Sequence, residues 1–361
     1  VIVTAIEAKP FRSLDRTTVE LPTGIVSVIG PNGAGKTNLI EALYFALTGR
    51  SFRTSDRRDL IPFGGTLARA EATVRDEDEI EHRLMAAVSR SEGRRHLLDG
   101  SPVDPPTLAR SRPPVAVFAP DRLSLVKGPP AERRAHLDGF LAARWPARAE
   151  LRRRYGQALA QRNALLARIA AGHGSPSDLE IWDAGLANAA APLVEARAAA
   201  VAELAGSFAS TAEDLGLGAA EVEYAPRAEG TAEEIRAGLA GRREQDVRLG
   251  RSSWGPHLDE LKLQAAGRAL RRYGSQGQQR AALLALLFAE REALLAARRV
   301  IPLLLLDDVM SELDPERRER LVARLRGGGQ VLITAADEDS VPLAARETVV
   351  SMPQTSAGAA G

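Results

Sequence analysis

The stretch GPNGAGKT, residues 30–37, constrains the fold of this chain more than any other. It matches G-x-x-x-x-G-K-[ST] in full. The β-branched run IVSVI precedes it, and the apolar-periodic KTNLIEALYFALTG follows, closed by Gly49. Strand, glycine-rich turn and helix in immediate succession form the setting in which this octapeptide has a physical task. Its glycines let backbone N–H groups turn inward, and the helix N-terminus adds partial positive charge, so the loop suits phosphate oxygens. The candidate nucleotide-binding residues are Gly30, Pro31, Asn32, Gly33, Ala34, Gly35, Lys36, Thr37 and Asn38. Lys36 is expected to reach the β- and γ-phosphates of ATP, and the Thr37 hydroxyl to hold Mg2+.

Work on ATP also needs a carboxylate in the metal shell and a group that orients water. LLLLDD, residues 303–308, supplies both: four leucines bury a strand, and two acids emerge at its C-terminal end. That is the end at which α/β sheets bind ligands. Asp307 is expected to be the metal-shell residue and Asp308 the group that polarises attacking water, which makes Lys36, Asp307 and Asp308 the catalytic set. SELD follows at residues 311–314. Asp314 before Pro315 is a helix cap by its chemistry. A subunit contact through Ser311 and Asp314 is the alternative.

Strands and helices alternate at both ends of the chain. VIVTAIEA, TTVEL, LARAEATVRD, EIEHRLMAAVS and RRHLLDG read as strands, the last with a turn at Asp99-Gly100. PPVAVFAP, HLDELKLQA, QVLIT and ETVVS read as further strands, and PERRERLVARLR as a helix with Pro315 near its start. Between them the chain turns rich in Ala, Leu, Arg and Glu, with high helix propensity. A break at GHGSPS, residues 172–177, divides a basic stretch (Arg133, Arg134, Arg144, Arg148, Arg152, Arg153, Arg154, Arg162, Arg168) from an acidic one (Asp178, Glu180, Asp183, Glu195, Glu203, Glu213, Asp214). This predicts an antiparallel helical arm. The expected organisation is an α/β head from residues 1–125 and 250–361, with a mainly helical arm at 126–249.

Composition excludes more than it assigns. Apolar residues at 45% of 361 allow a large core. Zero cysteines exclude disulfides, thiol catalysis, Cys-ligated zinc and Fe–S clusters, and fit a reducing cytoplasm. The net charge of +1 means that nucleic-acid contact must come from local patches. No run reads as a membrane span or signal peptide. A chain opening on Val is expected to lack a few leading residues, and the tail SMPQTSAGAAG to be disordered.

The phosphate loop, YGSQGQQR at 273–280 and LLLDDVMSELD occur in an order that resembles ABC-type ATPases of the SMC-like DNA-repair branch, and within it the RecF family of bacterial recombination mediators. FRSL at 11–14, TGRSFRT at 48–54, KGPPAERRAHLD at 127–138 and GPHLDEL at 255–261 strengthen the resemblance, which spans nearly the whole chain. It implies an α/β fold of the ABC-ATPase head type, mixed sheets around the phosphate loop, with a helical arm inserted. It also implies that Ser275, Gln276, Gly277, Gln278 and Gln279 form a signature acting in trans. Two heads would pair head to tail, each signature closing on the ATP held by the other. A hydroxyl, a bare backbone and a helix N-terminus suit that task. By the same resemblance Asp314 is a dimer contact and Asp308 takes the catalytic glutamate's place. The implied role is gap repair: slow ATP hydrolysis, engagement of duplex or single/double-strand junction DNA, and help in loading the recombinase with RecO- and RecR-type mediators.

The chain departs from that pattern in places. Where many ABC ATPases carry a γ-phosphate-sensing His, QVLITAADED has Thr334 and Ala335. No glutamine suits a Q-loop near 117–121, and Leu258 stands where a basic residue is expected. Phe11 and Arg12 either flank adenine or are a core Phe and a surface Arg. DNA phosphates are expected at Arg50, Arg53, Arg57 and Arg58 and at Arg152, Arg153 and Arg154. The arm arginines have the alternative of pairing with the acidic return helix. Aromatics at 4% favour duplex backbone over stacked single strands. Two other functions use the same loop: an ATP-gated clamp with vestigial hydrolysis, and a small-molecule kinase, which has no use for the serine–amide segment.

Overall fold

The computed structural model describes residues 1–352 apart from 55, 92, 105–106, 109–110, 120–122, 299–301 and 327–328. Residues 353–361 of the tail expected to be disordered lie outside the described residues. The chain divides into two compact units: Val1–Leu123, Asp214–Gly216 and Leu294–Gly361 form the first, Ser124–Glu213 and Leu217–Ala293 the second.

The first unit carries two sheets. Strands β1 (Ile2–Ala8), β2 (Thr17–Glu20), β4 (Leu67–Arg75), β5 (Glu81–Ser89), β6 (Gly93–Leu98) and β7 (Ser101–Pro102) make an antiparallel sheet in the order β2-β1-β4-β5-β6-β7. The turn between β6 and β7 is Asp99-Gly100, both with positive φ (50° and 82°), as a two-residue hairpin requires. Strands β3 (Ile25–Ile29), β8 (Val115–Phe118), β12 (Leu303–Leu306), β13 (Val331–Ala335) and β14 (Thr348–Ser351) make a parallel sheet in the order β14-β3-β13-β12-β8. β12 and β13 are buried at every residue, the pattern of a sheet covered on both faces.

Helix α1 (Lys36–Thr48) is buried around most of its circumference. Its Leu39, Ile40, Leu43, Phe45 and Leu47 share one core with Val3, Ile6, Ala70 and Leu84 of the antiparallel sheet and Val28, Leu305 and Leu332 of the parallel one. A helix apolar all round has to lie between two layers.

In the second unit α2 (Pro130–Arg144), α3 (Leu151–Ala170), α4 (Leu179–Asp214), α5 (Ala232–Ala240), α6 (Arg243–Leu249) and α7 (Gln276–Arg298) accompany a three-stranded sheet, β11 (Arg268–Ala269), β10 (Glu260–Ala265) and β9 (Ala220–Ala225). α3 and α4 are the expected helical pair, and charges of opposite sign do join them. Arg162 of α3 is fully buried and donates to Asp183 of α4 at 2.8 Å and to Asp246 of α6 at 2.7 Å.

Within the mainly helical insertion AEVEYA forms β9, whose alternating burial is completed by pairing with β10. One expectation is corrected. The boundary falls at Leu294 and not at 250, so β10 and YGSQGQQR belong to the second unit. The cause is that the sheet and its ion pairs tie residues 255–265 to α2 and α4. Arg133 donates to Glu260 at 2.7 and 2.9 Å. Arg197 bridges Asp138 and Asp259 at 2.8 and 2.9 Å. KGPPAERRAHLD and GPHLDEL are therefore halves of one buried charge network. Residues 214–216 fall with the first unit, where Asp214 accepts from Arg324 of α8 (Pro315–Leu325) at 2.6 Å.

Candidate functional site

The loop between β3 and α1 turns on glycines that nothing else replaces. Gly35, the residue ahead of α1, has φ 91°, and a Cβ on it would lie 2.7 Å from Leu14 Cδ2. A Cβ on Gly30 would lie 2.5 Å from the Met352 carbonyl oxygen. Pro31, Asn32 and Gly33 are exposed, while Ala34 is buried. Lys36 is 8% exposed, and its Nζ donates to the carbonyls of Gly30 at 2.5 Å and Pro31 at 3.0 Å. The loop curls around its own lysine, with the first turn of α1 beneath it. Asn38 points aside: it donates to Ser13 at 2.7 Å and accepts from Arg53 at 3.1 Å.

The sheet order brings a second group to this loop from far away in sequence. β13 lies between β3 and β12. Its register pairs Leu306 with Ile333, so Thr334 falls beside Asp307. Thr37 Oγ1 donates to Asp307 Oδ1 at 3.1 Å, and Thr334 Oγ1 donates to the same oxygen at 2.7 Å. Thr334 also accepts from the Asp308 backbone N–H at 2.9 Å. Asp308 stands at φ 48°, a left-handed conformation that aspartate tolerates better than most residues. Burial pushes the Asp307 carboxyl above the usual carboxylate range. The hydrogen bonds from Thr334 and Thr37 oppose this, and the neighbouring Asp308 charge adds to it.

This donor set fits a hard divalent cation shared with phosphate. Among the described residues no group of three or more His, Cys, Asp or Glu side chains is placed to hold a metal. Mg2+ is commonly held by one or two carboxylates, with phosphates and water completing its octahedron. A buried carboxylate beside a threonine hydroxyl, at the mouth of a phosphate-type loop, meets that need.

Thr334 is the residue of this cluster that sequence reasoning missed. It registered only as a position lacking His, and its role depends on strand order, which no local pattern states. Of the adenine candidates, Phe11 is fully buried and packs on Phe45 with ring centroids 5.7 Å apart. Arg12 is neither free nor superficial, being paired with the buried Glu41, to which its Nη2 donates at 2.8 Å. Arg53 joins the same carboxylate at 3.4 Å.

Three comparisons bear on this arrangement. The chain matches the family described as RecF/RecN/SMC N terminal domain over residues 2–359. The "DNA replication and repair protein RecF" of Streptomyces avermitilis is 38% identical over 355 residues, covering 94% of this chain and 95% of the relative. That of Anaeromyxobacter sp. is 39% identical over 355 residues, covering 94% of each. This chain belongs to the RecF family. A solved structure described as the recombination mediator protein RecF with ATP in the RecFOR pathway superposes with a TM-score of 0.82 at 27% identity, covering 94% of this chain and 93% of that one. An SMC head bound to the C-terminal winged-helix domain of ScpA shares the fold at a TM-score of 0.59 and 16% identity. The architecture is thus the α/β head of ABC-type ATPases and SMC proteins, as RecF proteins carry it.

The remaining residues that the family resemblance singles out are placed as follows. Ser275 caps α7, and a capping box closes it: Gln278 N–H donates to Ser275 Oγ at 3.2 Å, and Ser275 N–H to Gln278 Oε1 at 2.9 Å. Gln276 and Gly277 are exposed, and a Cβ on Gly277 would meet nothing closer than 4.0 Å. Gln279 is buried and donates to the Leu270 carbonyl at 2.8 Å. Asp314 caps α8 by accepting from the Arg317 N–H at 2.9 Å, and Ser311 donates to the Asp308 carbonyl at 2.9 Å. On the arm Arg152 lies 3.5 Å from Asp138 of α2, and Arg153 pairs with Glu150. Arg154 is exposed. Pairing with the acidic return helix belongs instead to Arg162, with Asp183, and to Arg144, with Glu203 at 2.8 Å.

Proposed function

We propose that the chain binds ATP with Mg2+ in the loop of residues 30–37, pairs with a second copy when ATP is bound, and engages duplex DNA as a slow ATPase of recombinational repair. One observation carries this reading: the Thr37–Asp307–Thr334 cluster at the C-terminal ends of β12 and β13, beside Lys36. Lys36 would neutralise the β- and γ-phosphates. Thr37 and Asp307 would hold the cation, which adds electrostatic stabilisation of the transferred charge. Asp308, set out of the strand line by its left-handed backbone, would orient the attacking water. The exposed hydroxyl of Ser275 and the open approach at Gly277 suit a γ-phosphate presented by a second copy. Ser311 and Asp314 would flank that interface. Their bonds within the chain orient both side chains without consuming every acceptor lone pair.

A second reading, an ATP-gated DNA clamp with vestigial hydrolysis, is favoured by one fact. Where an imidazole would sense the γ-phosphate the chain has Thr334 and Ala335, and the Thr334 hydroxyl is already engaged by Asp307 and by the Asp308 N–H. The relatives' name, DNA replication and repair protein, supports DNA as the partner. The RecFOR description of the matched structure supports RecO- and RecR-type mediators. Sedimentation with ATP, with ADP and without nucleotide, each with and without duplex DNA, tests the reading. The expected result is a dimer only with ATP, lost in Lys36→Ala. An ATP-dependent dimer that persists in Lys36→Ala would sink the loop assignment.

A further inference from the structure

The small sheet of the second unit is incomplete on one side. Ala266 and Gly267, at φ 48° and 70°, make the two-residue turn from β10 to β11. β11 is short and pairs with Gln264 and Ala265 alone. The chain then leaves the sheet as a single helical turn, Leu270–Tyr273. Residues 260–263 of β10 thus have β9 on one side and, among the described residues, no strand on the other. Alternation along β10 says which backbone groups face that gap. Ala266 N–H donates to the Ala219 carbonyl, on the β9 side, at 3.0 Å. The N–H and C=O of Leu263 and Leu261 therefore point the other way, toward the gap.

The gap opens on a cavity of about 530 Å3. Val126, Leu261, Leu263 and Ala269 give its lining an apolar part, and Lys262, Arg271 and Arg272 give it positive charge. Glu260 is the one carboxylate in the lining, and both its oxygens are taken by Arg133. Lys262 is balanced by Glu223 at 2.8 Å. Arg271 and Arg272 are exposed, and no carboxylate among the described residues pairs with either. Arg272 stands over the Tyr273 ring, 5.8 Å from its centroid. An open strand edge is a template for another strand, and here the edge comes with space and with two unbalanced cations.

We propose that this edge is a docking site at which an extended acidic segment of a partner protein adds a strand to β10. A stretch of about four residues, at about 3.3 Å each, covers residues 260–263. Its main chain pairs with the free groups of Leu261 and Leu263 and supplies affinity, while its alternate side chains select the partner. Apolar ones meet the leucines and Val126, and carboxylates meet Arg271 and Arg272. A nucleic-acid backbone fits the edge less well. The Leu261 and Leu263 carbonyls need donors, and a phosphodiester has none. The site is independent of the nucleotide reading, which stands or falls on other residues.

The test uses the full chain and a short fluorescein-labelled peptide of alternating glutamate and valine, followed by anisotropy and by hydrogen exchange. Saturable binding is expected, with exchange at the Leu261 and Leu263 amides slowed about tenfold or more at saturation. Replacing the peptide's valines by proline removes its ladder donors and should abolish binding, as should replacing glutamate by lysine. Arg271→Glu/Arg272→Glu is expected to weaken binding at least about tenfold. Ala269→Trp should fill the cavity and abolish it. All three positions are exposed, so both variants should keep the wild-type thermal midpoint. Wild-type peptide affinity in both variants, or binding that leaves the Leu261 and Leu263 amides unprotected, overturns the proposal. Displacement of the peptide by a duplex that itself slows those amides makes this a phosphate site and overturns it too. Protection of the same amides that rises with the concentration of the free chain gives the edge to a second copy, and the acidic partner falls.

Discussion

At the scale of single residues, Thr334 decides how two acids behave. Its hydroxyl gives one hydrogen bond to Asp307 and takes one from the Asp308 backbone. Thr334→Val keeps the shape and removes both. A half-buried N–H then loses its partner, at about 1 kcal/mol of stability. Asp307 loses one of the two hydrogen bonds that oppose burial, so its carboxyl rises further and binds cations less readily. Hydrolysis is expected to fall by an order of magnitude or more and half-saturation to need more Mg2+, with Thr334→Ser restoring both. A Thr334→Val protein with the wild-type Mg2+ dependence would show that the hydroxyl only fills space. Lys36, Thr37, Asp307 and Asp308 were legible in the sequence because loop and strand carry local patterns. Thr334 was not, since only the β13–β12 register gives it meaning.

At the scale of elements, one histidine ties two turns together. His82 on β5 reaches Asp99 at 2.7 Å and Asp76 at 3.3 Å, so the Asp99-Gly100 turn and the loop after β4 share it. Asp99, and then Asp76, raise the His82 pKa above 6.5. Backbone hydrogen bonds, chiefly from Ile80, lower Asp76 below 3.8. A raised His value gives stability that is complete below pH 6.5 and is lost as pH climbs through the folded value. The lowered Asp76 gives stability present above 3.8 and lost on acidification through its folded value. The strap should therefore be tightest between the two ranges. Hydrogen exchange at the Asp78 and Ile80 amides, which donate to Asp76, is expected to speed up above pH 6.5 beyond its intrinsic rise in wild type and not in His82→Gln. Equal pH profiles for the two proteins would dismiss the strap. Elsewhere the elements followed the sequence closely: hairpin, phosphate loop, buried leucine strand and capped α8 all stand where their patterns put them. β9 did not show, because an Ala- and Glu-rich alternation becomes a strand only with β10 beside it.

At the scale of the whole molecule, the proposed function makes the ATP site half of a composite whose other half would be the capped start of α7 on a second copy. Ser275→Arg is expected to bind ATP as well as wild type and to stay monomeric, since a bulky cation would fill the partner's γ-phosphate position. A wild-type ATP-dependent dimer in Ser275→Arg would refute pairing through this segment. Asp308→Asn separates a working ATPase from a clamp. If water is oriented by Asp308, turnover drops by about two orders of magnitude and ATP-bound dimer accumulates. If hydrolysis is vestigial, sedimentation and phosphate release barely change.

The sequence by itself determined the phosphate loop, its lysine and threonine, the two acids ending a leucine strand, and the RecF family. The loop and the strand end are short-range patterns, specified by neighbouring residues, and the family is legible from the order of such patterns along the chain. Only the tertiary structure decided that Thr334 bonds to both acids and that Arg53 serves Glu41. It also decided that the stretch before α7 belongs with the inserted unit. These outcomes depend on which strands lie side by side and which charges share one face. Strand order is settled by closing long loops around a common core, and no local run of residues encodes it.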